Sequence, residues 1–530
     1  MAVIFVLLLL RHNKIKYQKN LLAVLLERNQ MELRVLHRDF YHLPKGAEYK
    51  ESHHYFSQDI DLFGRGSFFQ YLNRTALKTG ADALVHELLS NTIEQIDKKQ
   101  EAIKELASFS SWTQRFSAVA TLVKTEVSAE SVVQWLQKYK CFVPNKIKLF
   151  SGLFSLLSII AWTGYFLDFL SGYAVFLWFL IGLGITGNYL KQIGKLAVHT
   201  TQIQSTFRQY AELIKLLETK EFSSALLKEK RATIIHQTET SSKIVHKFSK
   251  LLDALDQRNN ILISIFANGF LLRDLYVCKN IENWIETYGQ LVPVWFETIA
   301  FFDAYNSLGN YAFNHPNQVY PKIVRDSNIT MNCMGAVHPL LDPSSAIPND
   351  FKILKDEFFV ITGANMAGKS TFLRTVGLHI VMANMGLPVS AKAMDYSPIK
   401  LITSMRTTDS LTDDESYFFS ELKRLKMIIN AIEKESYFII LDEILKGTNS
   451  TDKAVGSKKF IEKLVGLNAS GIIATHDLSL CTVADSTNEV KNYYFDAQIK
   501  NDELFFDYKF REGICQNMNA SFLLKKMGIV

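Results

Sequence analysis

The sequence predicts a multidomain protein in which a long-helix domain with an inserted transmembrane helical hairpin is followed by an α/β domain with a phosphate-binding loop. Three observations support this prediction: two neighbouring stretches without charge, a long region poor in Gly and Pro, and a G-x-x-x-x-G-K-S loop after an apolar run. The chain has 530 residues, of which 48% are hydrophobic, and this length allows about three or four domains with buried cores.

The composition argues against several classes of protein. The net charge of +6 is modest, so contact with a polyanion is allowed without being required. The five cysteines are far apart and form no C-x-x-C pair, which argues against a disulfide framework and against a zinc site. A reducing compartment agrees best with this pattern.

The two charge-free runs are predicted to form a membrane hairpin. Residues 149–167 and 169–190 are rich in Leu, Phe, Ile and Trp, and at about 1.5 Å per residue each is long enough, or nearly so, for a hydrocarbon core of about 30 Å. A turn around Asp168 would return the chain to its starting side. The alternative is a hairpin buried in a soluble core.

Basic residues flank both ends of this predicted hairpin. They are Lys138, Lys140, Lys146, Lys148, Lys191 and Lys195. By the positive-inside rule both flanks face the cytoplasm. The prediction is therefore a multi-pass protein of the cytoplasmic membrane, anchored through 149–190, with its C-terminal domain in the cytoplasm.

The rest of the chain divides into regions with different residue patterns. Residues 1–10 are apolar but too short to span a bilayer as a helix. Three interpretations stay open: half of a membrane span, an interfacial anchor, or the remaining part of a longer N-terminal segment. Residues 11–58 are predicted as a helical N-terminal region, and residues 59–148 and 191–332 as two parts of a long-helix domain. Basic residues along 191–332 indicate either a DNA-contacting arm or a solvated helix face.

Residues 333–530 are predicted as an α/β domain. Prolines mark loops ahead of an apolar, partly β-branched run at 358–362, and similar runs at 437–441 and 471–475 alternate with helical stretches. This alternation is typical of a mostly parallel sheet covered by helices.

The phosphate-binding loop, or P-loop, follows the first of these strands and precedes a helical stretch, which is the context that the motif requires. It consists of Gly363, Ala364, Asn365, Met366, Ala367, Gly368, Lys369 and Ser370, with Thr371 next. Its glycines let backbone N–H groups turn toward phosphates at a helix N-terminus. Lys369 can reach the β and γ phosphates and Ser370 can ligate Mg²⁺, so ATP and Mg²⁺ are the predicted cofactors.

Two further strand ends supply the predicted catalytic groups. One apolar run ends in Asp442, predicted to hold Mg²⁺, and Glu443, predicted to position and polarise the attacking water. His476 follows the strand at 471–475, where it could sense the γ-phosphate, although a lone histidine is more often structural. Ser416, at the start of a predicted helix, could donate to a phosphate or simply cap that helix.

The motifs of the C-terminal part together resemble those of the MutS family of DNA mismatch-repair ATPases. They are His338-Pro339-Leu340, Ile347-Pro348-Asn349-Asp350, the P-loop run from Thr362 to Arg374, Leu441-Asp442-Glu443, Gly447-Thr448 and Ala474-Thr475-His476. Asn365-Met366 within the loop separates this family from most other P-loop proteins. Weaker matches upstream are Phe302-Asp303-Ala304, Asp61-Leu62-Phe63-Gly64, Asn73-Arg74-Thr75 and Thr79-Gly80.

The resemblance implies an ABC-like ATPase domain that works as a homodimer and moves the long helices, a lever domain, around DNA. The catalytic residues that it implies are Glu443, His476 and Lys369. The residues that would complete the nucleotide site of the other subunit are Ser416, Asn449 and Asp452. Hydrolysis of ATP would then depend on DNA or be modulated by it.

Departures from the family pattern limit what it implies. The usual G-P-N-M-G-G-K-S-T appears here with Ala364 and Ala367, which keeps the catalytic atoms. Ala346 stands where many members place an aromatic residue to stack on adenine. The F-x-E triplet of the mismatch readers occurs here only within the ATPase region, so we expect no mismatch-reading domain. A membrane hairpin is not typical of the family.

Three functions are compatible with these patterns. The first is a membrane-anchored ATPase whose dimeric arms embrace DNA. The second is an ABC-like mechanochemical ATPase that acts on a membrane-protein partner without DNA, and the third is a structural member whose ATPase domain serves only for dimerisation. DNA, the membrane, a second copy of the chain and a membrane protein are therefore the partners to test.

Overall fold

The computed structural model describes residues 2–122, 127–235, 239–406, 417–500 and 503–516. The chain forms two compact units. The helical unit consists of Met1–Asn29, Thr75–Asp82 and Ser111–Ala304. The sheet unit consists of Gln30–Arg74, Ala83–Ser110 and Tyr305–Val530.

Helices α1 to α14 precede the first strand of the described chain. They are α1 Ala2–Leu36, α2 Phe68–Leu72, α3 Lys78–Leu89, α4 Ile96–Ser108, α5 Ser110–Leu122, α6 Ala129–Lys138, α7 Ile147–Phe166, α8 Gly172–Gly187, α9 Leu190–Thr219, α10 Ala225–Ala232, α11 Ser241–Asp256, α12 Ile261–Leu271, α13 Arg273–Tyr288 and α14 Val292–Asn314. Helices that alternate with the strands are α15 Lys369–Asn384, α16 Tyr417–Ile432, α17 Ser450–Gly466 and α18 Val483–Ser486.

The N-terminal segment is one continuous helix. α1 joins the apolar start to the region predicted as helical, because no Gly or Pro interrupts the sequence before Pro44. The predicted helical region 11–58 is α-helical only as far as Leu36, since Arg38 takes a left-handed φ of 66° and turns and one short 3-10 helix follow it. Apolar side chains from Ile4 to Leu10 are exposed.

The two charge-free runs form a helical hairpin. α7 and α8 are joined by a turn in which Asp168 has a φ of 60° and Ser171 accepts a hydrogen bond from the N–H of Ala174 at the start of α8. Phe154 stacks on Trp178 across the pair, with ring centroids 4.5 Å apart. α8 ends at Gly187, short of the predicted end at 190.

Length and composition single out few helices as able to cross a membrane. Within the described residues α7 qualifies by itself. Two bent pairs qualify only if each is counted as one span: α8 with α9, bent by 64°, and α12 with the helical stretch that follows it, bent by 84°. The bilayer location of the hairpin remains a prediction.

Long helices form the core of the helical unit, as the sequence predicts for the region after the hairpin. α9, α11 and α13 pack together around an aromatic cluster of Phe207, Phe248 and Trp284. The rings of Phe248 and Trp284 stack 3.8 Å apart, and the indole N–H of Trp284 donates to the carbonyl of Ile244. Burial of such large rings contributes most of the stability of a helical core.

The sheet unit contains two sheets. The strands are β1 Lys322–Ile323, β2 Ile329–Ala336, β3 Asn349–Leu354, β4 Phe358–Gly363, β5 Ala393–Tyr396, β6 Lys400–Ser404, β7 Tyr437–Asp442, β8 Ser470–Ala474, β9 Val490–Lys500 and β10 Glu503–Glu512. The larger sheet has the order β10-β9-β4-β8-β7-β6, in which all neighbours are parallel except the β10–β9 pair. The predicted mostly parallel sheet is therefore present.

The unit boundaries differ from the predicted domains. The smaller sheet, with the order β1-β5-β2-β3, begins before the predicted boundary at 333, which falls inside β2. Parts of the predicted lever region also belong to the sheet unit, because their side chains bond to it. Asp59 accepts a hydrogen bond from Thr403 Oγ1, and Gln100 Nε2 donates to the carbonyl of Pro321.

Candidate nucleotide site

The strand order of the larger sheet places three of the predicted motifs at the carboxyl ends of neighbouring strands. β4, β8 and β7 are parallel neighbours, so their carboxyl ends lie side by side. The P-loop follows β4, Asp442 ends β7 with Glu443 next, and His476 follows β8. Residues more than a hundred positions apart are thereby brought together at the usual ligand-binding edge of an open parallel sheet.

The backbone of the P-loop has the conformations for which glycine is suited. Gly363 has a φ of 145°, and a Cβ there would lie 2.5 Å from the carbonyl oxygen of Phe495. Gly368 has a φ of 106° and directly precedes α15. Met366 also has a positive φ, of 66°, and its side chain is 78% exposed. The loop therefore turns sharply into a helix N-terminus, the geometry that binds phosphate.

Lys369 is buried within the loop. Its ammonium donates to the carbonyls of Gly363, at 2.7 Å, and Ala364, at 3.0 Å. Burial lowers the pKa of Lys369, and the nearby Asp442 and Glu443 counteract this shift. The loop thus holds one positive charge in a position to neutralise a bound phosphate.

Ser370 and Asp442 form the predicted metal pair. The Ser370 hydroxyl donates to Oδ2 of Asp442 at 2.8 Å. Burial raises the pKa of Asp442, and the hydrogen bond from Ser370 opposes the shift. A hydroxyl and a carboxylate are oxygen ligands that Mg²⁺ prefers when phosphate supplies the rest, so the residues present fit Mg²⁺ bound to a nucleotide.

Glu443, His476 and Lys369 form a contiguous cluster. Nε2 of His476 lies 3.0 Å from Oε1 of Glu443 and 3.3 Å from Nζ of Lys369. Burial, followed by the charge of Lys369, lowers the pKa of His476. Glu443 has a left-handed φ of 51°, and its N–H donates to the carbonyl of Ala474, which ties the ends of β7 and β8 together.

The residues predicted to act across a dimer are only partly described. Asn449 caps α17: its side chain accepts from the N–H of Asp452 at 2.9 Å and donates to the carboxylate of Asp452 at 2.7 Å. Ser416 lies outside the described residues, directly before α16. The role of all three across a dimer remains a prediction.

Two residues beside the site were not identified from the sequence. Glu421 of α16 is 3% exposed, and its carboxylate accepts from the N–H groups of Leu445, at 2.6 Å, and Lys446, at 3.1 Å, just after Glu443. No sequence pattern links these positions, which are more than twenty residues apart. Glu421 therefore positions the backbone that follows β7 and Glu443.

Tyr508 is the second such residue. It lies in the irregular part of the β9–β10 pairing, has a φ of 52° and is 45% exposed. Its ring lies 3.2 Å from where a Cβ on Gly368 would be. Asn349 fixes this bulge by donating to the carbonyl of Tyr508 and accepting from the N–H of Phe510. An aromatic ring is thus present beside the P-loop although Ala346 offers none.

Comparisons with known proteins agree with this geometry. Residues 359–525 match the family model for MutS domain V. The chain is 30% identical over 213 residues to the DNA mismatch repair protein MutS of Chlamydia abortus, covering 38% of this chain and 26% of that protein. It is 32% identical over 194 residues to MutS protein homolog 4 of Homo sapiens, covering 34% and 20%.

A longer match reaches upstream of the ATPase motifs. The DNA mismatch repair protein MutS of Staphylococcus haemolyticus is 28% identical over 272 residues, which is 50% of this chain and 30% of that protein. The chain thus spans less than a third of the length of each of these relatives. The predicted resemblance to the MutS family is confirmed for the C-terminal part.

Proposed function

Because residues 359–525 match the family model for MutS domain V, we propose that the protein is a membrane-anchored ATPase that binds DNA. ATP hydrolysis in a homodimer would open and close the helical lever domain around the DNA. The observation that supports the ATPase best is the cluster of Lys369, Glu443 and His476 beside the Ser370–Asp442 pair.

The residues of the cluster have distinct tasks in this proposal. Lys369 neutralises charge on the β and γ phosphates, and Ser370 and Asp442 hold Mg²⁺, which supplies further neutralisation when bound. Glu443 orients and polarises the attacking water, because its carboxylate extends from the strand end toward His476. His476, in contact with both Glu443 and Lys369, senses the γ-phosphate.

Tyr508 provides a base-stacking surface in this proposal. The half-exposed ring of Tyr508 lies next to Gly368. Asn349, in the strand that follows Ala346, donates a hydrogen bond to the backbone carbonyl of Tyr508 and so fixes its position. A ring at this place can stack on adenine, which compensates for the small side chain at 346. Tyr508→Ala should weaken ATP binding several-fold, whereas Tyr508→Phe should retain it.

The DNA and membrane parts of the proposal have separate support. Exposed basic side chains on the helical unit are Arg208, Lys215, Lys228, Lys243, Lys247 and Lys250. The relatives are named as DNA mismatch repair proteins. Exposed apolar side chains cover α7 and α8, which favours a bilayer around the hairpin with the ATPase domain in the cytoplasm.

The test is ATP hydrolysis by the detergent-solubilised full chain, alone and with linear, mismatched or four-way-junction DNA. Glu443→Gln should lower the hydrolysis rate by roughly 10²- to 10⁴-fold while ATP still binds, because the attacking water loses its base. Glu433→Gln, at an exposed position on the same unit, is the matched control and should hydrolyse ATP like the wild type.

The response to DNA then separates the candidate functions. Hydrolysis that DNA stimulates or suppresses, and that Glu443→Gln abolishes, supports the proposal. Glu443-dependent hydrolysis that no DNA changes favours the second candidate, an ATPase that acts on a membrane-protein partner, for which the exposed apolar hairpin is the supporting observation. Hydrolysis unaffected by Glu443→Gln contradicts both.

A further inference from the structure

α12 is a short apolar helix whose outer surface is uncovered. It has 11 residues, and its two polar side chains, Ser264 and Asn268, are four positions apart and therefore share one face. Asn268 donates to Ser264 Oγ and accepts from the N–H of Asp274, so the polar groups of this face bond within the protein. No charged residue occurs between Ile261 and Leu271.

The exposed surface of α12 is apolar. Its large exposed side chains are Ile261, Leu262, Ile263, Ile265, Phe266 and Leu271. Leu262 is 72% exposed and Ile261 is 70% exposed, values comparable with those of the hairpin tip. Such a patch is unfavourable in water and indicates contact with an apolar partner.

α12 packs directly on the hairpin at small residues. A Cβ on Gly182 of α8 would lie 2.1 Å from the carbonyl oxygen of Gly269, and a Cβ on Gly269 would lie 2.2 Å from the ring of Phe179. Close contact at glycines is typical of helices that pack within a membrane, where small residues let backbones approach.

A chain of hydrogen bonds joins all three apolar helices. The indole N–H of Trp178 in α8 donates to Ser158 Oγ of α7 at 2.8 Å, and Ser158 Oγ donates to the carbonyl of Phe270 in α12 at 2.7 Å. Polar groups among apolar helices are stable when they are paired in this way. α7, α8 and α12 therefore form one apolar assembly with a continuous outer surface.

The two ends of the α12 segment meet in one charged cluster. Arg258, which precedes α12, lies 3.8 Å from the carboxylate of Asp274, which follows it. Arg273 lies 3.9 Å from the same carboxylate and also donates to the carbonyl of Ala254 and the side chain of Gln257. Both flanks of the helix are thus on the same side of the apolar surface.

We propose that α12 is a third bilayer-embedded element, which enters and leaves on the cytoplasmic side and rests against the membrane hairpin. A helix of 11 residues is about 16 Å long, too short to cross a hydrocarbon core of about 30 Å, and its two flanks meet in one charged cluster, so α12 is embedded without crossing. The occupant of its exposed face is lipid acyl chain, because that face is continuous with the hairpin surface and has no polar group to pair with a protein partner. This inference rests on the proposed membrane anchoring.

Site-directed fluorescence quenching tests the inference on the full chain in vesicles of phosphatidylcholine and phosphatidylglycerol. In a Cys141→Ser background, an environment-sensitive dye is attached at Leu262→Cys or, as a second α12 position, at Phe266→Cys. Leu153→Cys on α7 is the reference for the hairpin, and Lys243→Cys on α11 is the water-exposed control. Nitroxides on the acyl chains and iodide in the buffer are the quenchers.

We expect nitroxide to quench the dye at 262, 266 and 153 several-fold more strongly than at 243, and iodide to do the reverse. Iodide quenching at 262 and 266 with nitroxide quenching at 153 overturns the inference but leaves the hairpin in the membrane. Absence of nitroxide quenching at all positions means that the membrane anchoring itself fails. Protection at 262 that increases with the protein-to-lipid ratio identifies a second copy as the occupant and also overturns the inference.

Discussion

Burial and charge act together on His476. The pKa of this histidine is lowered by burial and by the charge of Lys369, so the ring is neutral at pH 7 and its protonation belongs to more acidic solutions. A neutral ring between Glu443 and Lys369 leaves the carboxylate free to polarise water. Protonation of His476 would pair it with Glu443 and remove that base.

The pH dependence of hydrolysis follows from this arrangement. The rate should stay constant as pH falls to about 6.5, the ordinary value for histidine, and decline below it. His476→Gln should lower kcat and remove the decline that histidine protonation causes, while ATP binding is retained. A pH profile of kcat for both proteins measures this; an unchanged acid decline in the variant would show that another group titrates.

Asp303 is a buried carboxylate with a predicted effect on stability. It accepts from the N–H groups of Ala76 and Leu77, and burial raises its pKa to about 6. Because the folded state binds the proton more tightly than the unfolded state, the stabilisation is present below pH ~4 and is lost as pH rises through about 6.

The helical unit should therefore lose about 2 kcal/mol of stability between pH 4 and pH 7 through this group. Hydrogen exchange at the amides of Ala76 and Leu77 measures the effect locally. Asp303→Asn, which keeps an acceptor but does not titrate, should abolish this part of the pH dependence. Equal slopes in the two proteins would contradict the assignment.

At the scale of elements, the segment 55–61 fixes the carboxyl end of β6. The carbonyl of Tyr55 accepts from the N–H of Thr403 and from Arg424 of α16. Buried Asp59 accepts from Thr403 Oγ1 at 2.5 Å and from two N–H groups, those of Met405 and Arg406. This strand end leads directly into residues 407–416, which include Ser416.

Replacing Asp59 and Asp61 of this segment by alanine should lower the free energy of unfolding by different amounts. Asp59→Ala leaves buried donors without an acceptor and should lower the free energy of unfolding of the sheet unit by about 2–4 kcal/mol. Asp61→Ala breaks ion pairs with Arg374 and Arg406 that are partly exposed, and should cost less than about 1 kcal/mol. Denaturant unfolding of both variants measures these losses of stability. Equal losses for the two variants would contradict the prediction.

At the scale of the whole molecule, the proposed homodimer predicts complementation between inactive subunits. Lys369→Ala removes the P-loop cation, and Asp452→Ala alters the first turn of α17, which is proposed to act on the partner site. In a mixed dimer, one site combines the intact P-loop of the Asp452→Ala chain with the intact first turn of α17 of the Lys369→Ala chain. Each variant alone has no such site.

Mixing the two variants should restore hydrolysis to about a quarter of the wild-type rate, because about half of the dimers are mixed and one of their two sites is complete. The measurement is steady-state hydrolysis after co-expression or subunit exchange. Mixing Lys369→Ala with Glu443→Gln is the matched control, since both changes affect the same side of each site and leave no complete one. No recovery in the first mixture would mean that Asp452 acts within its own subunit.

Much of the site was predictable because its parts are short and contiguous. A P-loop needs neighbouring glycines, Lys369 and Ser370 in a fixed order, and the strand that ends in Asp442 and Glu443 must be apolar to be buried. Tyr508 and Glu421 were not predictable, since each reaches the site by strand or helix packing between distant segments. The same reason explains why residues 59–74, predicted as part of the lever, belong to the sheet unit.

The sequence by itself determined the nucleotide-binding motifs, the parallel sheet and the apolar hairpin, because local spacing and hydrophobicity specify them. Only the tertiary structure decided that α12 joins the hairpin and that Lys369, Glu443 and His476 are in contact. These features depend on glycine contacts and on strand order, which arise from pairings between segments far apart in the chain.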